Sequence, residues 1–168
     1  VSVLEQRLPT CDAYDLHETI HALFRKAAGV ESGYYLGASD IAGQGVFATR
    51  EYEPGDVIGV AMTPGDEDEY GCKIWNLTEL SRYCNHQRQA NAKVVKQDGR
   101  FNLVASTPIS EDDEIVADYA QVTRAIGPHS RMMWDGKDVP VSDLQDYVER
   151  DNNAQAGNRA ERGQEQDA

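Results

Sequence analysis

At 168 residues the chain is long enough to bury a core and reads as one domain with appendages. Lys+Arg 16 against Asp+Glu 29 leaves a net charge of −13, which argues against a general binder of nucleic acid or anionic membrane and suits either plain solubility or a basic partner. Cys11, Cys72 and Cys84 form no Cys-x-x-Cys pair, so the sequence predicts neither a zinc site nor a disulfide framework and fits a reducing, cytoplasmic or nuclear compartment.

Over residues 12–28 the apolar positions Ala13, Leu16, Ile20, Leu23, Phe24 and Ala27 recur at helical spacing, with Gly29 as a stop. His17 and His21 lie four apart on that helix; two ligands without a completing signature read as a solvated edge. From Tyr34 the pattern turns to short strands, at 34–38, 46–49 and 57–60, the last entered through a Pro54-Gly55 turn. Residues 65–69 read as a polar loop. Val94-Val95 and residues 101–104 flank Asp98-Gly99, a favoured two-residue hairpin turn, and 115–119 reads as the last strand. A short helix is expected over 141–148, with Ser142 or Asp143 near its start. From Asn152 the chain has almost nothing to bury, so 152–168 is predicted to be disordered. Trp75 and Trp134 read as packing residues. No apolar run approaches the ~18–20 residues of a membrane span, residues 1–7 lack the apolar core of a signal peptide, and the missing initial Met suggests a trimmed chain.

Three segments carry unusual polarity. Arg82-Tyr83-Cys84-Asn85-His86, closed by Asn91, sets an amide and an imidazole among apolar residues. Each such group costs roughly 1–3 kcal/mol if buried unpaired, so they either tie the fold together or hold a polar ligand. Glu114-Ile115-Val116-Ala117-Asp118-Tyr119 answers it downstream. Upstream, Gly43-Gln44-Gly45 allows close backbone approach just before Val46-Phe47-Ala48.

In this order the three segments resemble the SET domain of protein lysine methyltransferases, over residues 34–122. The family's Gly-x-Gly element stands as Gly43 to Gly45, its Gly-x-x-Ile strand start as Gly55 to Ile58, and its Arg-aromatic-x-Asn-His with a later Asn as Arg82, Tyr83, Asn85, His86 and Asn91. The third element stands as Ala105, Ile109, Glu114, Ile115, Asp118 and Tyr119. The resemblance implies a mainly β fold with short helices. Several small sheets would surround a knot-like threaded C-terminal segment, preceded by an N-terminal helix. It divides the chain into a helical extension (1–33), the SET domain (34–122), a segment packing on or near the cofactor site (123–151) and the tail (152–168).

The implied cofactor is S-adenosyl-L-methionine, with Gly43, Gln44, Gly45, Arg82, Asn85 and His86 binding it and Tyr119 as the catalytic tyrosine. Arg82 could equally pair with a carboxylate. Asp118 is expected to support the threaded backbone, and Asn91 a turn or the knot. The implied substrate is the side-chain amine of a lysine in a basic protein or peptide, with no nucleic acid or membrane partner. Methyl transfer from a sulfonium to an amine is an in-line displacement that needs a neutral amine and alignment, and a tyrosine hydroxyl supplies the latter without charge. The chain departs from the family at Gln87 to Ala90, where many members read Ser-Cys-x-Pro, and at Val60-Ala61-Met62-Thr63, where a channel tyrosine is usual. Either another aromatic, Tyr70 or Tyr83, fills that place or the substrate site differs. The Cys-rich segment that follows many SET domains is absent, leaving Trp134 as the candidate to cover the adenine. The alternatives to a lysine methyltransferase are a SET-like binding module without activity and a methyltransferase acting on another acceptor.

Overall fold

The structure is a computed structural model and describes residues 20, 23, 24, 26, 27 and 31–164. In chain order the strands are β1 (Tyr34–Ala38), β2 (Gln44–Ala48), β3 (Val57–Glu67), β4 (Lys73–Leu77), β5 (Asn85–His86), β6 (Ala92–Gln97), β7 (Arg100–Ala105), β8 (Glu114–Ala117), β9 (Ser130–Trp134) and β10 (Lys137–Val139). Three helices interrupt them: α1 (Glu79–Tyr83), α2 (Tyr119–Ile126) and α3 (Val141–Gln164). The fold is mainly β. Its strands pair in the order β1-β2-β8-β6-β7-β3-β4-β9-β10, with β5 beside β8.

Turn chemistry explains most of the hairpins. Asp98 and Gly99 both have positive φ (51° and 77°), the conformation a two-residue turn demands, and β6 pairs with β7 from Ala92↔Ala105 to Gln97↔Arg100. Asp135 and Gly136 repeat the device (49° and 71°) between β9 and β10, a hairpin unforeseen from the sequence although its signal was the same. At Pro54-Gly55 the Asp56 amide donates to the Glu53 carbonyl at 3.0 Å, and Gly55 takes φ 97°.

Two expectations for this region need correction. Residues 65–67, read as loop, continue β3: Glu67 pairs with Lys73 of β4, and a register shift between Pro64 and Glu67 takes up Gly65 and Asp66. The turn falls later, where the Asp68 carboxylate accepts from the Tyr70 and Cys72 amides. Strand β4 was also unforeseen; it runs parallel to β9, so the chain after α2 returns to the sheet.

The core lies where β7 and β8 are covered on both faces, around Trp75, Leu80, Leu103, Ile109 and Ile115. Trp75 is a packing residue, 2% exposed, with its ring 4.6 Å from that of Phe101. The N-terminal helix read over 12–28 lies mostly outside the described residues, as do His17 and His21. The five described residues there are helical, and Lys26 bonds Glu111 (2.7 Å) and Asp112 (3.0 Å). At the other end α3 runs on to Gln164, into the segment read as disordered, and 152–164 is helical. Extending an existing helix needs no new nucleus, and the Ala, Gln, Glu and Arg of this stretch favour it. Among the described residues no helix is long and apolar enough to cross a membrane.

Candidate active site

Strand β8 is held on both edges by one loop. Val116 and Ala117 pair in parallel with Asn85 and His86 of β5, while Ala117 also bridges Ala92 at the start of β6. Asn91 works here as a surrogate peptide group: its Nδ2 donates to the Glu114 carbonyl (2.8 Å) and its Oδ1 accepts from the Val116 amide (2.9 Å). The Gln87 amide adds a bond to the Ala117 carbonyl at 3.1 Å. The motif residues 85–91 and 114–119, distant in sequence, thus become one unit.

After β8 the chain turns into α2. Asp118 is its N-cap and accepts from the Ala120 amide at 2.9 Å, so its carboxylate serves the backbone. Tyr119 therefore stands at the first position of a helix, not at the end of a strand as expected; the cap at Asp118 stops the strand. Its amide donates to His86 Nδ1 (3.1 Å), which puts the imidazole proton on Nε2, and its hydroxyl donates to the Cys84 carbonyl (2.9 Å). The His86 and Tyr119 rings lie 4.9 Å apart. Burial, then the neighbouring Cys84 and Tyr147, push the Tyr119 phenol well above its ordinary value, with Arg82 opposing. It is a neutral hydroxyl throughout the physiological range. Burial likewise raises the Cys84 thiol to about 12, with Glu114 adding to the effect, so that cysteine is an unreactive filler.

These groups face a cavity of about 510 Å³, within the range of small-molecule sites. Of the residues singled out from the sequence, Gly43, Gln44, Arg82, Asn85, His86 and Tyr119 all line it. Gly45 does not line it. It is buried, and a Cβ there would collide with the Glu114 carboxylate, so its role is to make room for a protein group. Gly43, with φ 50° and open space where a Cβ would stand, serves the turn. Arg82 is exposed, its guanidinium 5.8 Å from the Tyr83 ring, and it pairs with no carboxylate among the described residues.

The aromatic candidates separate clearly. Tyr83 lines the cavity, whereas Tyr70 is 82% exposed on a hairpin turn. Trp134 does not line it and stands edge-on to Tyr83 at 6.3 Å. The residues missed from the sequence come from α3: Asp143, Leu144 and Tyr147 reach the wall, and the Tyr147 ring meets Tyr119 edge-on at 5.8 Å. The available signal was the Val141, Leu144, Val148 spacing, which half-buries one side of α3. Among the described residues no group of three or more His, Cys, Asp or Glu could hold a metal ion.

The donor set suits an adenosyl amino acid. Asn85, whose amide nitrogen is taken up by protein acceptors, lines the cavity with Gly43 and Gln44, and Met62, Val94 and Leu103 supply apolar wall. Residues 43–120 match the family model of the SET domain, the family that the three polar segments resemble. A solved structure from Plasmodium falciparum, named "putative histone methyltransferase", is similar at 19% identity with a TM-score of 0.42, over 52% of this chain and 92% of that one. No curated protein matches the chain.

Proposed function

We propose that the protein transfers a methyl group from S-adenosyl-L-methionine to the side-chain amine of a lysine in a protein substrate. The observation that carries this is convergence: Gly43, Gln44, Arg82, Asn85, His86 and Tyr119, from three separate segments, meet at one cavity. The SET-domain match over 43–120 supports it independently.

When bound, S-adenosyl-L-methionine supplies the methyl on a cationic sulfonium, so transfer to a neutral amine requires no base in the step itself. The chain's own task is to hold and select. A free lysine titrates near 10.4, and the apolar wall of Met62, Leu103 and Val122 disfavours its charged form, so its proton goes to water on entry. Tyr119 then aligns the amine. Its O–H is committed to the Cys84 carbonyl, so the phenol oxygen can only accept from an amine N–H, which leaves the amine lone pair free for attack. Tyr83 takes the place of the usual channel tyrosine, being the cavity aromatic nearest to hand in the Arg82-to-His86 segment. The net charge of −13 favours encounter with a basic substrate.

The test is incubation of the protein with labelled S-adenosyl-L-methionine and lysine-containing protein mixtures, followed by mass spectrometry. Label on lysine is the expected result. Binding without transfer identifies a SET-like binding module instead, and label on another side chain identifies a different acceptor class.

A further inference from the structure

Asn85 holds its amide in an unusually crowded place. Its Nδ2 lies 2.9 Å from Glu114 Oε1, 3.0 Å from Ser39 Oγ and 3.1 Å from each of the Ala42 and Gln44 carbonyls. Two hydrogens face four acceptors, so the nitrogen is wholly committed to the protein. Its Oδ1, by contrast, takes no hydrogen bond among the described residues, and Asn85 lines the cavity. Ser39 and Glu114 form the rest of the clamp. The Ser39 hydroxyl donates to the Glu114 carboxylate (2.7 and 3.0 Å), and Ser39 Oγ accepts from the Ile41 amide at 2.9 Å. The carboxylate is the one charged acceptor in the cluster, and the absence of a Cβ at Gly45 is what lets it enter.

We propose that Ser39 and Glu114 are positioning residues that lock the Asn85 amide with its oxygen toward the ligand, making the polar end of the cavity an acceptor for the donor's ammonium group. This rests on the functional reading above and deepens it. An asparagine amide is nearly symmetrical in shape, so only its partners decide which end faces the cavity. A carboxylate can bond only the NH2 end. With Glu114 in place, the flipped amide would turn its oxygen onto a carboxylate and three other acceptors, and would present a donor to a cationic ligand. Neither group touches the ligand in this scheme; both act through Asn85.

The experiment is calorimetric titration of the full chain with two probes, S-adenosylhomocysteine and 5′-methylthioadenosine, which keeps the nucleoside but lacks the amino-acid end. Ser39→Ala and Glu114→Ala should each weaken S-adenosylhomocysteine about tenfold, the scale of one mispaired polar contact, and leave methylthioadenosine unchanged. Glu114→Gln, which keeps one acceptor oxygen, should recover part of the loss. Equal losses on both probes would mean that the pair only supports the fold, and no loss on either would mean that Asn85 is oriented without them; both results overturn the inference while leaving the site intact. Should Glu114→Ala not fold, Ser39→Ala alone decides. Wild-type protein that binds neither probe overturns the functional reading itself.

Discussion

The junction of β8 with residues 84–91 and the first turns of α3 both shape the cavity, but by different physics. At the junction the polar groups are paired at 2.7–3.1 Å: Asn91 with two backbone groups, Asn85 with the Glu114 clamp, Tyr119 with His86 and Cys84. Helix α3 contributes a ring edge at 5.8 Å and the half-buried Leu144, with Tyr147 still 48% exposed. Directional bonds fix atoms to a few tenths of an ångström, while an edge contact tolerates sliding. The first wall suits alignment of a reacting amine, and the second suits closure over a ligand that must enter and leave.

The sharpest way to break this comparison is Tyr119→Phe. It keeps the ring against His86 and Tyr147 and removes the bonded hydroxyl, so turnover should fall on the order of 10²-fold or more with ligand affinity nearly unchanged. Steady-state transfer rates beside calorimetric affinity check it, and near-wild-type turnover would place alignment elsewhere. Asn91→Ala should come next. It strips partners from the Glu114 carbonyl and the Val116 amide, costing about 2–4 kcal/mol in denaturant unfolding at roughly 1–2 kcal/mol for each orphaned group.

Alkaline pH probes the same wall through Cys84. Its folded-state value of about 12 lies above the ordinary 9.0, so the fold favours the neutral thiol. The stability this reflects is fully present below pH 9, where the unfolded thiol is also neutral, and is lost as pH rises from 9 toward 12. Between pH 9 and 10 unfolding free energy should fall by about 1.4 kcal/mol per pH unit, and Cys84→Ala should remove this first slope. Tyr119 adds its own loss only above pH 10.

On the second wall the effects should be smaller. Tyr147→Ala removes one edge contact and should weaken transfer about threefold to tenfold, the worth of an aromatic pair, with little change in melting temperature. Deleting residues 152–168 should change neither ligand affinity nor stability measurably, since the α3 residues at the cavity lie before that point.

What the sequence made legible follows the same division. Asn85, His86, Asn91 and Tyr119 stand out because buried polar groups demand partners, and the Asp98-Gly99 turn because few residues accept positive φ. Gly45 was visible as a glycine but not as the space for Glu114, since that collision exists only once β2 and β8 pair. The strand to 119 was misread because apolar alternation says nothing of where a cap will stop it. Tyr147 was hidden for a further reason: edge contacts between rings leave no spacing in the chain.

The two-edged seat of β8 also fixes an order of events during synthesis. Residues 85–92 leave the ribosome first and have no strand to grip until Glu114 to Ala117 follow, more than twenty positions later. A nascent chain ending before Glu114 can pair β6 with β7 yet lacks the carboxylate that clamps the Asn85 amide and the phenol that donates to the Cys84 carbonyl. Such non-local closure is slow relative to hairpin formation, so the site is the late product of folding, assembled by the last strand to reach the loop.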